Sequence, residues 1–355
     1  MTELSEAVTG ESDEVLTRVD GGIGLITLNR PKAINSLNQN MVDLLSTVLI
    51  RWERDDAVRA VVLSGAGERG LCAGGDLVPL YHSMRRDGVE ARRFWRDEYL
   101  LNGQIGRFAK PYVALMDGIV MGGGVGVSAH GSVRVVTDTS KVAMPEVGIG
   151  FIPEVGQMYL LSRAPGALGM HCALTGASFT GADAIALGFA DHYVPHSDLD
   201  AFTRAIVADG VDSALAHHAI EPPPSELAAQ REWIDECYSK DTAIDIVASL
   251  REHQGDGAGP ANDAANLIAS RSPISVSVAF EGVRRAAKME TLEDVLTQDY
   301  RMSSAASRSH DFVEGIRAQI IDKDRNPKWS PATLAEVTVA DVAAYFAPVD
   351  DDLTF

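Results

Sequence analysis

Two glutamates, eight residues apart, are the side chains in this sequence best suited to acid–base chemistry. Glu146 and Glu154 lie in the stretch 144–156 (MPEVGIGFIPEVG), whose other residues are apolar, glycine or proline. Surface carboxylates usually have polar neighbours, so this setting predicts partial burial, which raises a carboxyl pKa toward neutrality. Such a group suits proton transfer near pH 7. For either glutamate taken singly, an ordinary loop or N-capping role remains the alternative.

Two glycine-rich turns could supply hydrogen-bond donors to complement these carboxyl groups. One spans residues 71–76 (LCAGGD) and the other spans 121–126 (MGGGVG), each following an apolar, strand-like segment. Backbone amides at the head of a helix point outward and favour negative charge. Two amides aimed at one point form an oxyanion hole, in which each donor contributes about 2.7–4 kcal/mol. Close packing of a strand on a helix would explain the glycines equally well.

Other chemistries find weaker support. Residues 124–129 (GVGVSA) fit a dinucleotide-binding pattern, but no acidic residue is expected at the end of a following strand about 20 positions on, where ribose binding requires one. Ser128 does not lie in a G-x-S-x-G elbow, and His130 is interpreted as a helix-end histidine bonded to the backbone. Cys72 is interpreted as a small, buried apolar residue. No spacing of His, Cys or carboxylates predicts a metal site.

The segments around these motifs predict an α/β architecture, because strands alternate with helices. Gly21-Gly22 separates two apolar segments and predicts a β-hairpin. Further strands are predicted at 60–64, 112–116 and 133–137, and helices at 40–54, 89–107, 122–130, 281–288 and 291–303.

Composition divides the chain into three expected regions. Residues 1–14 form an acidic leader expected to be disordered, residues 15–195 an α/β core, and residues 196–355 a mostly helical part. Breaks at 221–224 (EPPP) and 254–260 (QGDGAGP) are expected to be loops between helices.

Charge and composition limit the partners and the location. The net charge of −19 argues against nucleic acid and anionic membrane surfaces. No apolar run approaches the roughly 18 residues of a membrane helix. The leader has five acidic residues and no base before Arg18, and three cysteines give an odd number. These features predict a cytoplasmic protein with reduced thiols, without a secretory or transit peptide.

Five motifs in the same order resemble the crotonase (enoyl-CoA hydratase/isomerase) superfamily. They are the segment 29–38 (NRPKAINSLN), the two glycine turns, the stretch 144–156 and the segment 174–195 (LTGASFTGADAIALGFADHYVP). Segments 94–102 (FWRDEYLLN) and 127–131 (VSAHG), and the tail 311–329, resemble the 3-hydroxyisobutyryl-CoA hydrolase branch. The resemblance implies a spiral of ββα repeats followed by a C-terminal helical region. It also implies a homo-oligomer, a trimer or hexamer.

The resemblance implies roles for particular residues. The amides of Gly75 and Gly123 would form the oxyanion hole for a thioester carbonyl, with Glu146 and Glu154 beside the reacting carbon. Glu98 would line the acyl pocket and bond a substrate hydroxyl, and Lys32 would neighbour coenzyme A. Coenzyme A, itself an anion, would be part of an acyl-CoA substrate, and no separate cofactor is implied.

Three departures refine the expected reaction. Hydratases of the superfamily carry a glutamate where this chain has Gly126, which counts against adding water across a double bond. The hydrolase branch usually has aspartate at the position of Glu154 and glycine at that of Gln157. The expected activity is hydrolysis of a short branched or hydroxylated acyl-CoA, with 3-hydroxyisobutyryl-CoA (valine catabolism) as the expected substrate. Enoyl-CoA hydratase or isomerase activity on the same scaffold is the alternative, followed by acyl-CoA binding without catalysis.

Overall fold

Residues 13–355 are described by a computed structural model, and their strands form two sheets. The larger sheet has the order β1-β2-β3-β4-β6-β9, in which only the β1-β2 pair is antiparallel. The smaller sheet has the order β5-β7-β8. The strands are β1 (Val15–Asp20), β2 (Ile23–Leu28), β3 (Ala60–Gly65), β4 (Tyr112–Met116), β5 (Ile119–Met121), β6 (Val133–Val136), β7 (Lys141–Ala143), β8 (Phe179–Thr180) and β9 (His192–Tyr193).

Successive turns of the chain give one strand to each sheet, and this produces the spiral. Strand β4 joins the larger sheet and β5 the smaller one, and then β6 and β7 repeat the same step. Each strand of the second turn pairs in parallel with its counterpart in the first. The predicted crotonase-like fold is therefore confirmed, as are the hairpin around Gly21-Gly22 and the buried strand Tyr112–Met116.

Sixteen helices cover much of the remaining described chain. They are α1 (Gln39–Glu53), α2 (Leu77–Met84), α3 (Val89–Gly106), α4 (Gly123–Gly126), α5 (Gln157–Leu161), α6 (Leu168–Thr175), α7 (Gly181–Ala186), α8 (Leu199–Asp209), α9 (Val211–His218), α10 (Arg231–Tyr238), α11 (Ala243–Glu252), α12 (Ala258–Ser270), α13 (Pro273–Ala286), α14 (Leu292–Ala306), α15 (His310–Ile316) and α16 (Val339–Ala344).

Three sequence-based boundaries were wrong. The helix predicted at 122–130 stops at Gly126, because glycines favour a helix poorly and Tyr112 donates its hydroxyl proton to the Val127 carbonyl at 2.9 Å. Helix α12 begins inside the predicted break 254–260, since Pro260 lies in its first turn, where backbone N–H groups have no helical partner. Helix α13 extends from Pro273 rather than from 281.

The helices after β9 pack on the strand-bearing part of the chain. Helix α14 packs against α3, and α13 packs against α6, within one hydrophobic cluster that reaches from Val15 to Leu353.

The predicted domain boundary near residue 195 stays a prediction. Residues 1–12 of the predicted leader lie outside the described residues, whereas Glu14 accepts a hydrogen bond from the Asn29 amide at 2.7 Å. No helix within residues 13–355 is long and apolar enough to cross a membrane.

Candidate active site

A small cavity of about 80 Å³ collects five of the six residues predicted to form the site. It lies where α2, α3, the head of α4 and the 144–156 stretch meet. The predicted residues that line it are Gly75, Glu98, Gly123, Glu146 and Glu154. Lys32 is not part of this lining; it lies on an exposed 3-10 turn, and its proposed role toward coenzyme A stays a prediction.

The two glycine turns are held side by side by backbone hydrogen bonds. Cys72 pairs in parallel with Val120, and the Met121 amide donates to the Cys72 carbonyl at 2.9 Å. A side chain at Gly74, whose φ is +101°, would place its Cβ 3.6 Å from the Gly123 nitrogen. Among residues 13–355, no acceptor takes a hydrogen bond from the Gly75 or Gly123 amide. Two backbone donors at the cavity are therefore available to a ligand.

Glu146 lies on a 3-10 turn (Pro145–Ile149) and is only 4% exposed. A Cβ at Gly122 would lie 3.4 Å from its Oε1, so the carboxyl group faces the triple-glycine turn. Gln157 Nε2 donates to the Gly122 carbonyl at 3.1 Å and makes a long contact of 3.5 Å with Glu146 Oε1. Burial, and then the nearby charge of Glu154, raise the pKa of Glu146 well above its ordinary value.

Glu98 reaches the cavity from α3 and lies against the second glycine turn. A Cβ at Gly123 would collide with Glu98 Oε1, so a side chain there would force this carboxyl group to move. Oε1 of Glu98 has no hydrogen-bond partner among the described residues. Burial, followed by the charge of Glu154, raises the pKa of Glu98 well above its ordinary value.

The negative charge of Glu154 raises the pKa of both Glu98 and Glu146. Burial raises the pKa of Glu154 to about 8, although hydrogen bonds from the Tyr99 hydroxyl and the Val155 amide act in the opposite direction. The Tyr99 hydroxyl also contacts the Ser303 hydroxyl. The described lining has three glutamates and no Lys, Arg or His. Near neutral pH, these carboxyl groups are therefore expected to share protons rather than all be ionised.

Stacked aromatic rings close one side of the cavity. The Phe151 and Phe312 rings stack with centroids 4.1 Å apart and planes 10° apart, and Trp95 stacks on Phe151 at 5.4 Å. All three rings line the cavity. The rings bring together α3, the 144–156 stretch and α15, so they also fix the position of the loop that carries both glutamates.

Gly126 has no room for a side chain. A Cβ there would lie 2.7 Å from Val155 Cβ and 2.9 Å from Asn102 Nδ2. Real Cβ atoms essentially never approach so closely. The position at which hydratases carry a glutamate is therefore filled here by a neighbouring valine.

Three residues given other interpretations in the sequence analysis are hydrogen-bonded or buried within the chain, although His130 lies beyond the end of α4 rather than at it. The Val155 carbonyl accepts a hydrogen bond from His130 Nε2 at 2.7 Å, and burial lowers the pKa of His130 to about 4. Cys72 is fully buried, which raises the pKa of its thiol to about 12. Ser128 is fully buried and donates to the Gly124 carbonyl at 2.6 Å. Within residues 13–355, no group of three or more His, Cys, Asp or Glu residues is placed to hold a metal ion.

Sequence reasoning missed several residues around the site. Asp299 of α14 is fully buried and accepts a hydrogen bond from the Gly156 amide at 2.8 Å. Nothing in its local sequence marks it, because its partner lies 143 residues away. Tyr99 could have been found, since it follows Glu98 directly. The sequence marked Gln157 only as an unusual residue type for the family, and it did not indicate the contact of Gln157 with Glu146.

The cavity thus brings three buried carboxyl groups together with two available backbone amides, on a spiral of ββα turns that contributes strands to two sheets. Residues 23–346 match the enoyl-CoA hydratase/isomerase family, and the chain belongs to this family. It is 40% identical to the mitochondrial 3-hydroxyisobutyryl-CoA hydrolase of Danio rerio, over 95% of this chain and 90% of that protein. The corresponding protein of Homo sapiens is 38% identical over 98% of this chain and 92% of its own length.

Solved structures extend the similarity. A carnitinyl-CoA dehydratase from Mycobacterium thermoresistibile is 67% identical, with a TM-score of 0.94 over 97% of this chain and 99% of that one. An enoyl-CoA hydratase from Rhodobacter sphaeroides is 36% identical, with a TM-score of 0.91 over 97% of this chain and 100% of that one. The resemblance to the superfamily and to its hydrolase branch is confirmed as a similarity, while the names of these relatives cover both hydrolysis and dehydration.

Proposed function

We propose that this protein hydrolyses the thioester of a short hydroxylated acyl-CoA, with 3-hydroxyisobutyryl-CoA as the leading substrate. The observation that carries the proposal is the pairing of Glu146 and Glu154 in one buried cavity, together with the packed glycine at 126. The family resemblance implies that hydration uses a carboxylate at the position of Gly126, where in this chain a side chain would collide with Val155. The curated hydrolases that match nearly the whole chain support the same reaction.

The first step is polarisation of the thioester carbonyl. The Gly75 and Gly123 amides, which have no protein acceptor among the described residues, would donate to the carbonyl oxygen as negative charge develops on it. Because the cavity is small and lined largely by apolar side chains, little water would compete with these donors.

Glu146 then acts by one of two routes. It either attacks the carbonyl carbon, so that the C–S bond breaks, CoA leaves as its thiolate and water then hydrolyses the mixed anhydride, or it removes a proton from a water that attacks the same carbon and expels CoA directly. Glu154 orients that water or takes up the proton. Single turnover in oxygen-18 water tests the anhydride route: label in the Glu146 carboxylate establishes an anhydride opened at the Glu146 carbon, whereas label confined to the free acid contradicts opening at that carbon.

The cavity also favours a class of acyl group. A volume of about 80 Å³ closed by aromatic rings suits a short chain. Glu98 brings into the cavity a buried polar atom without a described protein partner, and a substrate hydroxyl would pair with it. Branched or straight short acyl groups with a hydroxyl at C3 satisfy both conditions.

Thiol release from a panel of acyl-CoAs tests the proposal. We expect 3-hydroxyisobutyryl-CoA and 3-hydroxypropionyl-CoA to be cleaved fastest, and Glu146→Gln to lower kcat by at least about 100-fold. Glu290→Gln, a change of the same type at an exposed position, is the matched control and should leave kcat unchanged. If no member of the panel released free CoA, the hydrolase assignment would fail.

The alternative is hydration or dehydration of the acyl chain. It is favoured by one observation, the 67% identity to a structure named carnitinyl-CoA dehydratase. The two reactions give different products, because hydrolysis releases a thiol while dehydration creates an enoyl thioester with its own absorbance. A wild-type enzyme that produces the enoyl absorbance from 3-hydroxyacyl-CoAs, or carnitinyl-CoA, without releasing thiol would establish the alternative.

Three further points belong to the same proposal. The reaction needs no cofactor beyond the coenzyme A of the substrate, so chelator treatment should leave the rate unchanged. A cytoplasmic location is retained for this chain, although the hydrolases it resembles are named mitochondrial, and cell fractionation decides between the compartments. A homo-oligomer, a trimer or hexamer, is proposed on family resemblance, and light scattering measures it.

A further inference from the structure

The turn that follows Glu154 has an unusual backbone. Val155 has a φ of +51° and Gly156 a φ of +76°, so both lie in the left-handed region. A β-branched residue is a genuine outlier there, and a conformation of this kind costs of order 1–3 kcal/mol unless the surroundings impose it. The direction of the Glu154 side chain therefore depends on whatever holds this turn.

Two side chains from distant parts of the chain hold the turn from either side. His130 Nε2 donates to the Val155 carbonyl at 2.7 Å, and the Gly156 amide donates to Asp299 Oδ2 at 2.8 Å. The two hydrogen bonds engage the carbonyl oxygen and the N–H group of the same peptide, which joins Val155 to Gly156. Since a carbonyl oxygen only accepts, Nε2 of His130 must carry the hydrogen.

The Asp299 carboxyl group is suited to the role of a neutral acceptor. It is fully buried, and its Oδ1 has no partner among the described residues. Burial, with a further contribution from the charge of Glu154, raises its pKa well above the ordinary value. A protonated carboxyl group still offers its carbonyl oxygen to the Gly156 amide, as a side-chain amide would. Neither Asp299 nor His130 lines the cavity.

We propose that Asp299 and His130 are positioning residues, which clamp the left-handed turn at Val155–Gly156 and so aim Glu154 into the cavity. The inference rests on the proposed role of Glu154 in handling water or a proton. It assigns no chemical step to either residue. Their effect passes through the geometry of Glu154, where a displacement of about 1 Å can cost on the order of 100-fold in rate.

The test compares two substitutions of Asp299. Asp299→Ala removes the acceptor and should lower kcat about 10- to 100-fold, with KM changed by less than about threefold. Asp299→Asn keeps an oxygen for the Gly156 amide and should retain kcat within about threefold. Asp183→Ala, which removes another buried carboxyl group in the capping box of α7, should lower stability but leave kcat per folded molecule unchanged.

A second pair of variants keeps the proposal testable if Asp299→Ala does not fold. His130→Gln retains an N–H donor, whereas His130→Phe removes it, so Phe should reduce kcat more than Gln. Folded Asp299→Ala or His130→Phe with the kcat of the wild type would overturn the clamp. Equal losses in Asp299→Asn and Asp299→Ala would also overturn it, because they would show that a carboxyl group rather than an acceptor is required.

A structural readout separates this inference from the proposed function. If the wild-type enzyme cleaves no thioester, the proposed function fails, but a crystal structure of Asp299→Ala still tests the clamp. A Val155 that leaves the left-handed region, with Glu154 turned away from the cavity, supports it. An unchanged turn contradicts it.

Discussion

Val155 packs directly against Gly126, and the valine side chain fills the space that a side chain at 126 would need. Val155 directly follows Glu154 and has a left-handed backbone conformation. A side chain at 126 would therefore displace the turn that carries Glu154.

Substituting Gly126 should disturb both stability and catalysis. Because a Cβ would lie 2.7 Å from Val155 Cβ, Gly126→Ala should destabilise the fold by about 1–3 kcal/mol and lower kcat. Gly126→Glu should not create hydratase activity, since it displaces the turn that carries Glu154. Thermal unfolding and the enoyl absorbance measure these effects. Gly259→Ala, at a helical position with nothing within 4 Å, is the control and should be neutral or stabilising.

The two glycines proposed to form the oxyanion hole should differ in their tolerance of alanine. A Cβ at Gly123 would lie 2.4 Å from Glu98 Oε1, whereas a Cβ at Gly75 would lie no closer than 3.3 Å, to a ring carbon of Phe94. Gly123→Ala should therefore lower kcat/KM by about 100-fold, while Gly75→Ala should lower it by less than about tenfold. Equal losses in steady-state assays of both variants would contradict this ranking.

Glu98 should set the preference for a hydroxylated acyl group. Glu98→Leu leaves a substrate hydroxyl without a partner, so kcat/KM for 3-hydroxyisobutyryl-CoA should fall about 10- to 100-fold relative to isobutyryl-CoA. Glu98→Gln retains a polar partner and should keep most of the preference. A ratio of the two substrates that does not change in Glu98→Leu would show that Glu98 does not contact the hydroxyl group.

The aromatic wall should limit the length of the acyl chain. Phe312 is fully buried against Phe151, so Phe312→Leu should enlarge the cavity and raise kcat/KM for hexanoyl-CoA relative to isobutyryl-CoA. Phe312→Ala should have the larger effect on this ratio but destabilise the fold by about 3–5 kcal/mol. If neither folded variant changed the chain-length preference, residues other than Phe312 would limit the length of the acyl chain.

Glu154 should make stability depend on pH. Its pKa is about 8 in the folded protein and near 4.5 when unfolded, so between these values the folded state holds a proton that the unfolded state has lost. Stability contributed by this group is therefore complete below about pH 4.5 and falls as pH rises toward 8, by at most about 1.4 kcal/mol per pH unit. Denaturant unfolding from pH 5 to 9 should show a shallower decline in Glu154→Gln. If the free energy of unfolding fell equally with pH in both proteins, the raised pKa would not belong to Glu154.

Much of the fold could be read directly from the sequence, because local patterns determine it. Apolar runs bounded by glycines gave the strands β1 to β4, and one apolar face gave α1 within a residue of its bounds. The failures occurred where local signals conflict with tertiary contacts. The glycine-rich α4 is shorter than predicted because Tyr112, from a neighbouring strand, takes up the Val127 carbonyl.

The chemistry of the site divides in the same way. The sequence by itself determined the candidate residues: the apolar setting of Glu146 and Glu154 indicated buried carboxyl groups, and the glycine runs indicated available amides. Only the tertiary structure decided how those groups meet, because the pairing of Cys72 with Val120 brings the two glycine turns together. Likewise, the contact of Asp299 with Gly156 joins segments 143 residues apart, and no local pattern encodes a contact of that range.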